Sequence, residues 1–306
     1  MTKKILIFGL VLILLSSFAV ADLTADLEWY YSFDDADLTG SDPDDMTGNG
    51  YDGVTNDATT GATGIVGESF SYDGNDDYVD TGFTGISGTT TSCYWLKTTA
   101  ITQQAVLSSD GATRYEWLWN KDGSGDDKYR GYIKISNSVK QRTDVTVGPN
   151  LNDGNWHHIC LVMDPSDSTG FTLYFDGVAE ADPSYSHSNT FTWPSLTYSL
   201  YVGASHNGGS ATQDFTGNID EMGFWMKELS PADVALLYNS GAGCAYATLA
   251  TNCSSGSSSS VSTNYTSTVF EDSTTEHTLT FENYNTTSNS TATLYWNGTE
   301  YNGTIN

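Results

Sequence analysis

The chain has 306 residues, with 11 Lys and Arg against 38 Asp and Glu, a formal net charge of -27 and a pI of about 4.1. That balance argues against nucleic acid and anionic membrane surfaces, which need clustered cations. At 38% hydrophobic and 13% aromatic residues the chain can bury a core, and its length fits one large β domain plus a smaller piece, or two ordinary domains.

Residues 1–21 read as a secretory signal peptide. Lys3 and Lys4 precede an almost wholly apolar run from Ile5 to Phe18, and Ala19-Val20-Ala21 forms an A-x-A cleavage site before Asp22. The run is short for a bilayer span, which needs roughly 20 residues, so no membrane insertion is expected after cleavage. The mature chain starts at Asp22 and keeps 9 cations against 38 acidic residues, or -29. Its place is secreted or on the cell surface.

Period-2 alternation dominates the chain beyond Asp22. Leu27, Trp29, Tyr31 and Phe33 alternate with Glu28, Tyr30, Ser32 and Asp34. The same pattern recurs around Phe70–Tyr72, Ile133–Ile135, Phe171–Phe175, Leu200–Val202 and Met222–Met226. Asp, Asn and Gly clusters at 47–50, 73–76, 122–127, 152–155 and 176–177 separate the runs as turns. Many short strands with such turns predict an all-β, two-sheet antiparallel jelly-roll sandwich over 22–245. One short helix is expected after Ser230, with Pro231 at its first position, Asp233 completing a capping box, Val234, Leu236, Leu237 and Tyr238 as its apolar side and Gly241 ending it. It is expected to plug one end of the sandwich.

Composition shifts after Cys253. A Ser/Gly linker is assigned to 246–262, and 263–306 reads as the start of a small β (Ig-like) module, rich in Asn, Thr and Ser, with strands at Val269–Phe270, Leu279–Phe281 and Ala292–Trp296. It stops without a closing pattern, as a piece of a longer surface protein would. Six N-x-[ST] sequons at Asn252, Asn264, Asn285, Asn289, Asn297 and Asn302 are candidate glycosylation sites.

Four cysteines in an oxidising compartment allow three pairings. None forms a C-x-x-C pair, which argues against zinc or redox chemistry. Cys244 and Cys253 close a local loop, which leaves Cys93 and Cys160, each in a strand-like stretch.

Six segments in order carry a family resemblance: Trp29–Asp34, Asp45–Gly53, Phe70–Val79, Asp153–Asp164, Leu173–Gly177 and Phe215–Tyr238. Together they resemble laminin G-like domains of the concanavalin A-like lectin/glucanase superfamily over about residues 24–242. Cys93 and Cys160 sit where the related pentraxins carry a bridge between neighbouring strands, so the resemblance supports that pair. It does not carry over the pentraxin ligand site, because Ala204–Gly208 holds no carboxylate.

The resemblance frames three chemistries. A retaining glycosidase needs two carboxylates about 5 Å apart; the E-x-D-x-x-E motif is absent, and adjacent Asp220 and Glu221 are expected on opposite strand faces. The five histidines accompany no nucleophile elbow, and His157 and His158 are expected to pack and hydrogen-bond across strands. Calcium needs six to eight oxygen ligands. The 45–53 turn offers Asp45, Asn49 and Asp52, and the resemblance adds Asp220 from the last strand as a structural site. Sugar binding would use exposed aromatics. Tyr115, Trp117 and Trp119, two apart, form one row on a strand face, and Trp193 is a loop-based candidate. The expected function is a non-enzymatic module that binds a glycan or glycosylated surface protein. The alternatives are a structural surface-layer spacer and a polysaccharide-degrading enzyme.

Overall fold

The structure is a computed structural model that describes residues 22–119, 128–136, 138–146, 151–180, 184–206, 211–251, 253, 290–296 and 299–305. The signal segment, the Ser/Gly run 254–262, the expected strands at 269–270 and 279–281, and Asn252, Asn264, Asn285, Asn289 and Asn297 lie outside the described residues. Two compact units divide at Cys253 and Ser254.

The first unit opens with β1 (Leu27–Tyr31), β2 (Leu38–Thr39), β3 (Asp42–Pro43), β4 (Val54–Asn56), β5 (Thr59–Thr63), β6 (Glu68–Asp73) and β7 (Tyr78–Asp80). The long central strands are β8 (Thr90–Lys97), β9 (Gln104–Ser109), β10 (Arg114–Trp119), β11 (Lys128–Ile135), β12 (Ser138–Thr146) and β13 (Trp156–Met163). Then come β14 (Phe171–Phe175), β15 (Val178–Ala179), β16 (Ser184–Ser188), β17 (Tyr201–Val202), β18 (Ser205–His206), β19 (Ala211–Thr212) and β20 (Thr216–Trp225). Helices α1 (Pro231–Tyr238) and α2 (Tyr246–Leu249) close the unit. The second unit is described as one hairpin, β21 (Ser290–Trp296) with β22 (Thr299–Ile305), and Asn302 lies in its second strand.

Two antiparallel eight-stranded sheets form the sandwich. The first runs β15-β14-β13-β8-β20-β6-β5 with β1 beside β20; the second runs β16-β12-β11-β10-β9-β17-β7-β4. Alternation sends every second side chain between them. Trp29, Tyr31, Leu96, Ile159, Leu161 and Phe224 enter from the first sheet, and Leu107, Tyr115, Trp117, Ile133 and Val145 from the second. A hydrogen bond of 2.6 Å between the hydroxyls of Tyr94 and Tyr129 ties the sheets across this core.

The first sheet has a second apolar face. Tyr30, Cys93, Cys160, Val162, Tyr174 and Trp225 point away from the central core and pack against Val234, Leu237, Cys244, Leu249 and Cys253. Helix α1 therefore lies on an outer face of the sandwich rather than plugging its end. Its start is the expected one: the Ser230 side chain accepts from Asp233 N, and the Asp233 carboxylate accepts from Ser230 N at 2.9 Å. It ends at Tyr238, three residues before Gly241, because Asn239 takes the left-handed conformation. Residues 246–251 and Cys253, assigned from sequence to the linker, belong to this roof, through α2 and the Cys244–Cys253 bond. Cys93 and Cys160 are direct cross-strand partners on β8 and β13, joined by the other disulfide. No helix among the described residues is long and apolar enough to cross a membrane.

Candidate functional site

The expected aromatic row is not a binding surface. Tyr115 is fully buried and Trp117 is 2% exposed, and both pack in the inter-sheet core against Phe224 and Phe171. Trp193 is buried too. Its Nε1 donates to the Gly88 carbonyl at 3.0 Å and its ring meets Phe191 and Tyr115. Trp119 ends β10. The physical reason lies in the neighbours: β10 reads Arg-Tyr-Glu-Trp-Leu-Trp, and the face that carries Arg114 and Glu116 is the one that needs solvent or a counter-charge.

That other face is the candidate site. Register places Arg114 opposite Lys134, Glu116 opposite Tyr132 and Leu118 opposite Arg130; on the next strand Tyr132 faces Arg142 and Arg130 faces Asp144. Directly opposed residues share a sheet face. A row therefore crosses the second sheet on its outer side: Tyr201, Ser108, Glu116, Tyr132 and Arg142. The Arg114 guanidinium stands 5.6 Å from the Tyr132 ring centroid and pairs with Asp110 and, at 3.3 Å, with Glu116. Arg130 Nε meets Asp144 Oδ1 at 2.7 Å. Glu116 also accepts from Ser205 Oγ at 3.0 Å. Burial pushes its carboxyl up, against the opposing pull of Arg114 and Ser205. Planar guanidinium forks beside an aromatic ring are groups that grip hydroxyls and carboxylates.

The proposed calcium ligands separate into two places. Asp45, Asn49 and Asp52 do come together in one turn. The Asp45 carboxylate accepts from Tyr30 N, Thr47 N and Tyr51 N at 3.0–3.2 Å and from the Thr47 hydroxyl, and Asp52 accepts from Asp45 N. Asn49 donates to the carbonyls of Leu27 and Glu28. A carboxylate ringed by N–H donors has its lone pairs engaged and does not fit a cation, so this turn holds itself together.

Asp220 belongs elsewhere. Its Oδ2 accepts from Ile65 N at 2.7 Å and Val66 N at 3.2 Å, on the first sheet's roofed side. The same loop reaches Asp34 through Glu68 N at 2.6 Å. Gly64 and Gly67 permit the approach, since a Cβ at either would collide with the Asp220 or Asp34 carboxylate. Glu221 does not alternate away from Asp220 as expected. It has φ 47° at a bulge, and its carboxylate takes the Tyr30 hydroxyl, which lies in the roofed cluster. Asp220 is fully buried and Glu221 5% exposed. Burial raises the Asp220 pKa to about 8, and burial together with the Asp220 charge drives that of Glu221 well up. Glu221 Oε1 is buried and has no hydrogen-bond partner. The Asp220 carboxylate accepts from three backbone N–H groups, those of Ile65, Val66 and Glu221, so it fits a cation no better than Asp45 does. Among the described residues, the one group of three Asp, Glu, His or Cys side chains close enough to share a metal is Cys93, His158 and Cys160, and its sulfurs are consumed in the disulfide.

His157 and His158 pack as expected. His157 lies between Asp176 at 3.0 Å and Asp153 at 3.3 Å. Burial opposes its charge, yet the two carboxylates prevail and raise its pKa. His158 is buried beside Trp95, and burial lowers its pKa to about 3.

Comparison with known proteins places this arrangement. A family model described as the concanavalin A-like lectin/glucanases superfamily, of laminin G type, matches residues 73–235. No curated protein matches. Domain 4 of AbnA, an extracellular family-43 arabinanase from Geobacillus stearothermophilus solved with arabinotriose, is similar over 69% of this chain and 97% of that domain, at 19% identity and a TM-score of 0.50. The receptor-binding domain of botulinum neurotoxin C/D mosaic serotype is similar over 71% of this chain and 51% of its own length, at 11% identity and a TM-score of 0.51. A heptameric SAP-like pentraxin from Limulus polyphemus matches 58% of this chain and 84% of its own, at 14% identity and a TM-score of 0.44. At these identities the arabinanase and neurotoxin domains speak for the fold, and the family model for descent: the chain belongs to the concanavalin A-like lectin/glucanase superfamily, as a laminin G-like domain.

Proposed function

We propose that the chain is a secreted or cell-surface module that binds a carbohydrate or a glycosylated partner and catalyses nothing. The observation that carries this reading is the outer face of the second sheet, where Arg114, Tyr132, Arg142 and Glu116 share one side of neighbouring strands. Support comes from the similar arabinanase domain, matched almost end to end and solved with arabinotriose. The two disulfides fit an oxidising compartment. The non-catalytic part rests on Asp220 and Glu221, which are covered and hydrogen-bonded to loop and Tyr30 rather than flanking a groove.

A glycan array probed with the mature chain tests the binding claim. Retention of at least one saccharide class is expected, whereas a spacer would bind none. Release of reducing sugar from any bound polysaccharide would overturn the non-catalytic claim.

A further inference from the structure

Cys93 and Cys160 lie 67 residues apart in sequence, and strand pairing makes them direct neighbours on β8 and β13. His158 stands two residues before Cys160 on β13, so period-2 alternation puts both side chains on the roofed face. His158 Nε2 lies 3.7 Å from Cys160 Sγ, and each of the three side chains places a ligand atom within 4.8 Å of the other two. All three residues are at most 2% exposed. The rings of Trp95 and Tyr238 lie 5.1 and 6.1 Å from the imidazole. His158 Nδ1 is buried with no hydrogen-bond partner, and burial keeps the ring neutral. Packing, more than hydrogen bonding, holds this imidazole against the two sulfurs. Sequence spacing speaks against thiolate metal chemistry here, and only strand pairing brings the three groups together.

The geometry points to a metal site at Cys93, Cys160 and His158 in the dithiol form of the chain, with Zn²⁺ as the fitting ion. A small dithiol reductant breaks the sulfur–sulfur bond, supplies two electrons and two protons to the two sulfurs and leaves as its own cyclic disulfide. Zinc then displaces the two thiol protons. Donor atoms around a tetrahedral zinc stand about 3.5–3.8 Å apart, given zinc–sulfur bonds of about 2.3 Å and zinc–nitrogen bonds of about 2.0–2.1 Å. The 3.7 Å between His158 Nε2 and Cys160 Sγ already matches that spacing. Two thiolates and a neutral imidazole cancel the ion's double charge, so the unit buried beside Trp95 and Tyr238 is neutral and escapes the cost of an isolated buried charge. Sulfur and imidazole nitrogen select zinc over calcium or magnesium, which take oxygen ligands. Three protein ligands leave the fourth position to a water. Disulfide and zinc are then alternative occupants of the same two sulfurs: oxidation expels the ion and reduction readmits it.

The test uses the mature full-length chain, reduced in urea by a water-soluble phosphine, refolded and freed of reductant without air. Competition against a chromophoric zinc chelator should count one zinc per reduced chain and none in the oxidised parent. Cobalt in place of zinc should give the intense visible bands of a tetrahedral thiolate site. Cys93→Ser with Cys160→Ser should lose the ion, while Cys244→Ser with Cys253→Ser should keep it. His158→Gln should weaken zinc binding at least tenfold. Zinc held by the oxidised parent, or by the reduced Cys93/Cys160 variant as tightly as by the reduced parent, would overturn the site. Unweakened binding in His158→Gln would overturn the ligand set and with it the inference. Should reduction alone unfold the chain, zinc should restore its native circular dichroism. A reduced parent that takes up no zinc, folded or unfolded, would overturn the inference.

Discussion

The two outer faces of the sandwich treat buried charge in opposite ways. On the second sheet, Glu116 and Asp144 each meet an arginine within 3.3 Å. On the first sheet, under the roof formed by α1, α2 and the Cys244–Cys253 loop, Asp220 and Glu221 have only backbone N–H groups and a tyrosine hydroxyl. The first arrangement pairs each carboxylate with an arginine, although Glu116 is 2% and Arg130 9% exposed. The second stores a strong preference for a proton. The difference shows that burial alone does not set the chemistry of a carboxylate; the donors around it do.

The largest effect should come from opening the roof. Trp225 is fully buried on the roofed side, with its Nε1 donating to the Leu23 carbonyl at 2.7 Å. Trp225→Ala should destabilise by about 3–5 kcal/mol, read as a lower urea midpoint. Removing the roof's disulfide comes next. Cys244→Ser with Cys253→Ser releases a loop of sequence separation 9, for which chain entropy predicts a loss of about 3 kcal/mol. Calorimetry showing no change in either would mean the roof is only draped over the sheet.

The acidic pair sharpens the contrast through pH. Asp220 has a folded pKa of about 8 against an ordinary value of 3.8, so the native state holds the proton more tightly. Its contribution to stability is fully present below about pH 4 and is lost as pH rises toward 8. In EDTA, the stability difference between the parent and Asp220→Asn should therefore fall across that window. The smallest effect belongs to the outer face of the second sheet, where Arg130→Gln should cost about 1 kcal/mol because Asp144 keeps some access to solvent when the arginine is lost.

Much of the fold is legible in the sequence because its signals are local. Alternation at Leu27–Tyr31 and Phe171–Phe175 and the Ser230–Asp233 box appear as strands and helix start. The site is less so. The Tyr115 and Trp117 row stands out in the sequence, but the face it takes does not. The clue lies one residue away in Arg114 and Glu116, whose charges mark the solvent side. Two features leave no local trace. The bulge that turns Glu221 toward Tyr30 breaks the alternation on which strand reading depends. The roof depends on contacts more than 200 residues apart in sequence, such as Trp225 with Leu23.

Those contacts have a practical side. Leu23 and Cys253 pack into one cluster on the roofed face, so both ends of the domain emerge from the side opposite strands β10–β12. Four of the six lysines after residue 21, Lys121, Lys128, Lys134 and Lys140, lie between Arg114 and Arg142. Random amine coupling to a sensor chip would therefore attach the domain mostly through that segment of the chain. A biotin placed enzymatically at either end would hold it by its back and leave the strands free in solution.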